Sequence, residues 1–206
     1  MTTVLLGSTY FGPVQWYQKL NRYENCVIEQ HDNFIKQTYR NRCVIPTTNG
    51  LQSLSIPVTT IADAQISKTS MKDIHISDHG NWRHIHWNAL CSAYGESPFF
   101  EYYQDDIRPF FEKKWEFLID FNMEITYKMI ELLDIHPIIS LTNDFVSSID
   151  DVLDFRDIIR PKHPGSDNSF NAKTYYQVYQ HKFGFQPNMS ILDLLFNEGN
   201  ESVFYL

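Results

Sequence analysis

The first thirty residues restrict the possible folds more than any other segment. Val4–Leu6 is a short apolar run stopping at Gly7-Ser8, the pattern of a buried strand that ends in a turn. Pro13 suits the first turn of a helix, where its missing N–H costs nothing. Trp16, Leu20 and Tyr23 follow at i, i+4 and i+7, on one face of that helix. Cys26–Ile28 is the next apolar run. Strand, helix and strand within about 30 residues match a βαβ unit, whose crossover is right-handed.

The rest of the chain extends this α/β opening. Arg42–Ile45 and Leu51–Val58 flank Thr47-Thr48-Asn49-Gly50, and Asn-Gly is a strong hairpin signal. Ile74 and Ile76 alternate with polar neighbours and predict a strand over 73–77. From Asn81 the periodicity becomes helical, with Trp82, Ile85, Ala89 and Ala93 on one face and Gly95 as a C-terminal cap. A longer helix is expected over 115–133, with Leu118, Phe121, Ile125, Met129 and Leu132 in register and His136-Pro137 ending it. Ile138–Leu141 reads as a late strand. Ala172, Tyr175, Tyr176, Tyr179 and Phe183 mark another helix closed by Gly184. Ser190-Ile-Leu-Asp193 matches a capping box before a last one. The expected architecture is α/β, with a mixed sheet opened by a βαβ unit and a β-hairpin and followed by a mainly helical C-terminal half. The organisation expected is one domain over 1–206, strand-rich and carrying the site in 1–78 and mainly helical in 79–206.

Composition removes several classes. Hydrophobic residues make up 43% of the 206, so disorder does not describe the chain. No window has the roughly 18 uncharged apolar residues of a membrane span, and the start lacks the basic n-region of a secretory signal. Cys26, Cys43 and Cys91 have no paired short spacing and read as reduced thiols of a cytoplasmic protein. The net charge of −8 disfavours nucleic acid as a partner. Yet residues 1–60 hold five Lys/Arg against three Asp/Glu, so the cations concentrate in one part of an acidic chain. The fifteen Phe, twelve Tyr and four Trp favour a large aromatic core or a ligand cleft, and make a homodimer plausible.

The densest polar segment, His31 to Arg42, follows the second expected strand, and ligands of open α/β sheets bind outside the carboxyl ends of strands. Lys36, Arg40 and Arg42 are three cations within seven residues, and guanidinium forks match phosphate or carboxylate oxygens. In extended chain Arg40 and Arg42 project to one side, where both could hold one anion. The plain alternative is a solvated loop with surface ion pairs. His31 and Asp32 beside them offer an acid/base pair. The loop Ser8 to Pro13 leads into a helix N-terminus suited to an anion, although it carries no glycine fingerprint for NAD or ATP. Its alternative is a simple turn. His75, His79, His84 and His86 crowd one stretch, but His84 and His86 on one helix lie about 200° apart and cannot share a metal ion. No metal and no cofactor is expected. Glu101, Asp105 and Asp106 read as solvated helix termini, and no nucleophile elbow is present.

With those residues laid out, the chain resembles the WbqC-like family, in the wording of its Bacteroides-type branch. The resemblance rests on Ser8-Thr-Tyr-Phe-Gly-Pro13 with Tyr17, Glu29-Gln-His-Asp-Asn-Phe-Ile-Lys36, and Tyr39-Arg-Asn-Arg42. It continues through Ser55-Ile-Pro-Val58, Asp78-His-Gly-Asn-Trp-Arg83, Ser92-Ala-Tyr94 with Ser97-Pro-Phe99, and Met189-Ser-Ile-Leu-Asp-Leu-Leu195. Two departures stand out: Ser8-Thr9-Tyr10 replaces the wider family's Gln-Pro-Tyr, and His31-Asp32 replaces an Asp-Asp pair.

The resemblance implies a protein of bacterial surface-polysaccharide (O-antigen) gene clusters. The expected function is a transferase acting on a nucleotide-linked amino sugar or related phosphorylated substrate, with acyl or aminoacyl transfer favoured. Lys36, Arg40 and Arg42 would clamp the pyrophosphate, Tyr10 and Phe11 would stack on a ring, and Tyr39 and Asn41 would complete the binding site. His31 or Asp32 would be the general base. The alternative is a non-catalytic scaffold of the same pathway. A closed cleft between the first βα loop and the Lys36–Arg42 loop favours the enzyme; the same loop splayed over solvent favours the scaffold. A nucleotidyltransferase-like activity ranks last, because no His-x-Gly-His fingerprint is present.

Overall fold

A computed structural model describes residues 2–60, 64–147, 152–162 and 164–206. Strand β1 (Thr3–Gly7), helix α1 (Val14–Arg22) and strand β2 (Asn25–Glu29) form the opening unit. The strands are parallel, with Val4 opposite Cys26 and Leu6 opposite Ile28, all four buried. Helix α1 is buried on every face from Val14 to Leu20, well beyond the single face that Trp16 and Leu20 define, and only its last two residues are exposed.

Strands β3 (Arg42–Thr47) and β4 (Gly50–Ser55) make the expected hairpin, with Thr47 paired to Gly50 across Thr48-Asn49. Gly50 takes φ +104°, which explains a glycine there. Strand β5 (Val58–Thr59) pairs antiparallel with β6 (His75–Ile76). Helices α2 (Trp82–Tyr94), α3 (Phe100–Ile107), α4 (Pro109–Glu112) and α5 (Leu118–Leu133) follow. Strands β7 (Ile138–Leu141) and β8 (Val152–Asp154), then α6 (Gln180–Phe183) and α7 (Ile191–Glu198), complete the chain, with a 3-10 turn over Gly199–Tyr205.

Helices dominate the C-terminal half, but two strands from it complete the main sheet. Its order is β7-β2-β1-β8, all parallel. In chain order that is third, second, first, fourth, so the winding direction reverses between β1 and β8. In open parallel sheets the crevice outside the carboxyl ends at such a reversal is the ligand site. Strand β8 escapes sequence reading because Val152-Leu153-Asp154, preceded by Asp150-Asp151, is too short to carry a periodicity.

Other expectations are corrected. Helix α2 buries Trp82, His86, Leu90 and Ala93 and leaves Ile85 exposed. Its phase is set by polar anchors: Trp82 Nε1 donates to Ser77 O (3.0 Å), and the Tyr10 hydroxyl meets His86 Nδ1 (2.9 Å). Helix α5 ends at Asp134, left-handed at φ 52°, just before His136-Pro137. Gly95 caps α2 as expected, its N–H donating to Cys91 O, in a right-handed conformation. The helix expected over 172–183 is reduced to Gln180–Phe183. Its first half is not helical because Tyr175 and Gln177 both reach inward to the Asp193 carboxylate (2.7 Å each), contacts incompatible with helical spacing. Ser190 does cap α7, accepting from Leu192 N (3.3 Å), but Asp193 serves that inner network instead of closing a capping box. No helix among the described residues is long and apolar enough to cross a membrane.

Candidate active site

The residues leaving β1, β2 and β8 converge at the reversal. Glu29, the last residue of β2, is fully buried. One carboxylate oxygen accepts from His31 N (2.7 Å) and Thr142 Oγ1 (2.8 Å), the other from Val146 N (3.0 Å) and Arg156 Nη1 (3.4 Å). Four donors hold one buried negative charge, which makes its burial tolerable. Arg156 follows β8 and also donates to Val146 O (2.7 Å) and to the Asp154 carboxylate.

On the β1 side, Arg40 Nη2 donates to the Asp32 carboxylate inside the protein. Burial pushes the Asp32 carboxyl above its usual range, and Arg40 pulls it back only in part. Asn122 of α5 ties this pair to β1, its Nδ2 donating to Arg40 O (2.8 Å) and Ser8 Oγ (3.2 Å). Thr9 Oγ1, Asp32 Oδ1, Arg40 Nε and Asn122 Oδ1 are buried here without a protein partner among the described residues. Tyr10 N donates to Tyr39 O (2.9 Å), closing the first βα loop onto the loop before β3. The cavity left between Gly7–Thr9, Thr38–Arg40 and Phe155-Arg156 is about 20 Å3, room for about one water.

A second, open groove of about 350 Å3 lies on the outer side of the same loop. Lys36, Gln37, Asn41 and Arg42 line it, with an apolar wall that includes Phe34, Ile56 and Ile66. Arg42, the first residue of β3, is steadied through Nε by Ser55 Oγ (3.0 Å), its cross-strand partner. Asn41 Nδ2 donates to Ile56 O (2.8 Å). Among the described residues the lining contains two cations and no carboxylate.

The expected site is therefore divided. Arg40 and Arg42 do not face one anion, since regular extended geometry begins only at residue 42 and the turn before it sends Arg40 inward to Asp32. His31 and Asp32 serve different partners: the His31 ring Nε2 lies 3.2 Å from Thr142 O. A carbonyl oxygen only accepts, so Nε2 carries the hydrogen and Nδ1 keeps a free lone pair in the neutral ring.

The stacking role expected of Tyr10 and Phe11 is also corrected, because both are buried with protein rings against them. Tyr10 stacks on Phe121 (5.9 Å), and Phe11 packs on Phe110 and Phe111 (6.0 and 6.2 Å). Nor does the N-terminus of α1 face an anion: Val14 N donates to Met189 O (3.0 Å) and Gln15 N to Asn188 Oδ1 (2.8 Å). Tyr39 lines the closed crevice. The clustered histidines take separate partners, His86 with Tyr10, His84 with Asn88 and His75 with Phe117. Among the described residues no three metal-ligating side chains converge.

Glu29, Asn122, Thr142 and Arg156 were not singled out by sequence reasoning. Asn122 offered a signal, a polar residue within the apolar register of α5, whereas Arg156 offered none. No curated protein and no solved structure matches the chain. The WbqC-like protein family matches residues 8–160, which run from Ser8 at the crevice to Arg160 beyond β8 and include both the closed pairs and the open groove. The chain belongs to the WbqC-like protein family.

Proposed function

We propose that this WbqC-like protein is a transferase of bacterial surface-polysaccharide (O-antigen) biosynthesis that modifies a nucleotide-linked amino sugar or related phosphorylated substrate. The observation that carries the reading is the outer groove: two cations, Lys36 and Arg42, beside an apolar wall and, among the described residues, no carboxylate, in a chain of net charge −8. Its volume falls within the range of small-molecule sites, about 300–1,000 Å3. Lys36 and Arg42 bind the phosphates, and Asn41 orients them. The closure of the first βα loop on Tyr39 and Arg40 favours an enzyme over a scaffold, since a loop splayed over solvent would build no crevice.

In this reading the acceptor amine or hydroxyl attacks the carbonyl carbon of an activated acyl donor, an acyl thioester or acyl phosphate. The C–N or C–O bond forms, the proton passes to Nδ1 of His31, and the thiolate or phosphate leaves with the bonding electrons. Asp32 is a positioning residue, fixing Arg40 and through it the loop that carries Lys36 and Arg42.

A thermal-shift screen of wild type against nucleotides, sugar nucleotides, acyl-CoAs and acyl phosphates tests this. Ligand at about 100 Kd adds roughly 2.7 kcal/mol, a readable rise in Tm. The expected result is a rise with sugar nucleotides that Lys36→Ala and Arg42→Ala lose. Unchanged binding in the double variant would sink the assignment.

A further inference from the structure

The groove and the crevice leave unused the segment Asp78-His-Gly-Asn-Trp-Arg83, one of those that carry the family resemblance. It borders a cleft of about 450 Å3 between α2 and α4, larger than the groove of Lys36 and Arg42. Gly80 (φ 76°) and Asn81 (φ 48°) are consecutive left-handed residues at the start of α2, and they bring Asn81 to the cleft rim. Trp87, partly exposed, and Phe111 form an aromatic floor, their rings 5.8 Å apart.

Arg83 is held rigidly in the wall. Nε donates to Lys113 O (3.2 Å), Nη1 to Asp78 (2.5 Å), and the guanidinium lies 4.7 Å over the Trp82 ring. Its Nη2 is buried with no protein partner among the described residues. The remaining rim charges form exposed ion pairs, Asp78 with Lys114 and Arg108 with Glu112. Pairs this exposed hold their partners weakly and can exchange them for a ligand.

We propose that this cleft is a second ligand site, for a saccharide that carries one anionic substituent. The Trp87 ring receives the C–H face of a pyranose, Arg83 and Arg108 take the carboxylate or phosphate oxygens, and Asp78 and Glu112 accept from sugar hydroxyls. The two carboxylates on this rim, Asp78 and Glu112, disfavour a polyphosphate. The site stands whether or not the outer groove binds sugar nucleotides.

The test is a titration of the 15N-labelled full chain, following the Trp87 indole N–H signal, assigned with Trp87→Phe. Glucuronate and glucose 6-phosphate separate the two anionic substituents; neutral glucose, inorganic phosphate and AMP are the controls. The expected result is a saturable Trp87 shift with at least one of the two anionic sugars, roughly tenfold weaker in Arg83→Gln and weakened in Arg108→Ala, whose side chain is exposed and leaves the fold intact. The other indole signals report folding of each variant. Lys36→Ala/Arg42→Ala should retain the shift. The proposal falls if neither anionic sugar moves Trp87, or if glucose, phosphate or AMP moves it as strongly. It falls equally if both Arg83→Gln and Arg108→Ala bind like wild type, or if the Lys36/Arg42 double variant loses the response.

Discussion

Arg40 and Arg42 stand two positions apart and occupy opposite environments. Arg40 is buried against Asp32 beneath the first βα loop, while Arg42 opens the β3 hairpin at the rim of a groove open to solvent. The same side-chain chemistry thus organises the interior in one place and remains available to a ligand in the other. Cation density along a sequence does not distinguish these outcomes; the partner each side chain meets does.

The sharpest way to break this contrast is Asp32→Ala. It leaves Arg40 buried without its counter-ion and should cost about 3–5 kcal/mol, read as a lower urea midpoint. The pair replaced together, Asp32→Leu with Arg40→Met, should be less damaging than either single change, because no uncompensated charge remains. If Asp32→Ala unfolds at the wild-type midpoint, the closed pair does not organise the interior. Asn122→Ala comes next, at about 1–3 kcal/mol, since it releases Arg40 O and Ser8 Oγ from their buried donor.

A pH series tests whether the interior around His86 and Asp193 is dry. Burial holds the His86 imidazole at about 4, so its contribution is present at neutral pH and is lost as pH falls from 6.5 toward 4. Burial pushes the Asp193 carboxyl up to about 6, so its contribution is present at low pH and is lost as pH rises through 6. The two slopes oppose each other. Asp193→Asn should therefore make unfolding free energy rise more steeply with pH between 4 and 6. His86→Phe should do the reverse; unchanged slopes in both variants would mean that neither group is sealed from water. The smallest stability effect belongs to Arg42→Ala, within about 0.5 kcal/mol. Its binding loss for sugar nucleotides should be roughly tenfold. A large stability loss there would place Arg42 among the structural residues beside Arg40.

Much of the frame was legible along the chain. The Val4–Leu6 and Cys26–Ile28 runs, the Asn-Gly hairpin and the long α5 register are local patterns whose physical cause lies within a few residues, and they appear where expected. The site was less legible. The segment His31–Arg42 does lie at the carboxyl ends of the strands, but Tyr10 and Phe11, chosen for their rings, proved to be core. A buried aromatic and a ligand-stacking aromatic have the same local sequence signature. Helix α2 was anticipated in extent but misjudged in phase, because the Tyr10–His86 contact couples residues 76 positions apart.

By itself the sequence determined the α/β class, the βαβ opening, the hairpin and the family, since local periodicity, turn chemistry and ordered motifs need no knowledge of the partner across the fold. Only the tertiary structure decided that β8 joins β1, that Glu29 meets Arg156 over 127 positions, and that Arg40 turns inward while Arg42 does not. Those outcomes depend on burial and long-range pairing, where the desolvation of a charge is offset only by the particular group that arrives beside it.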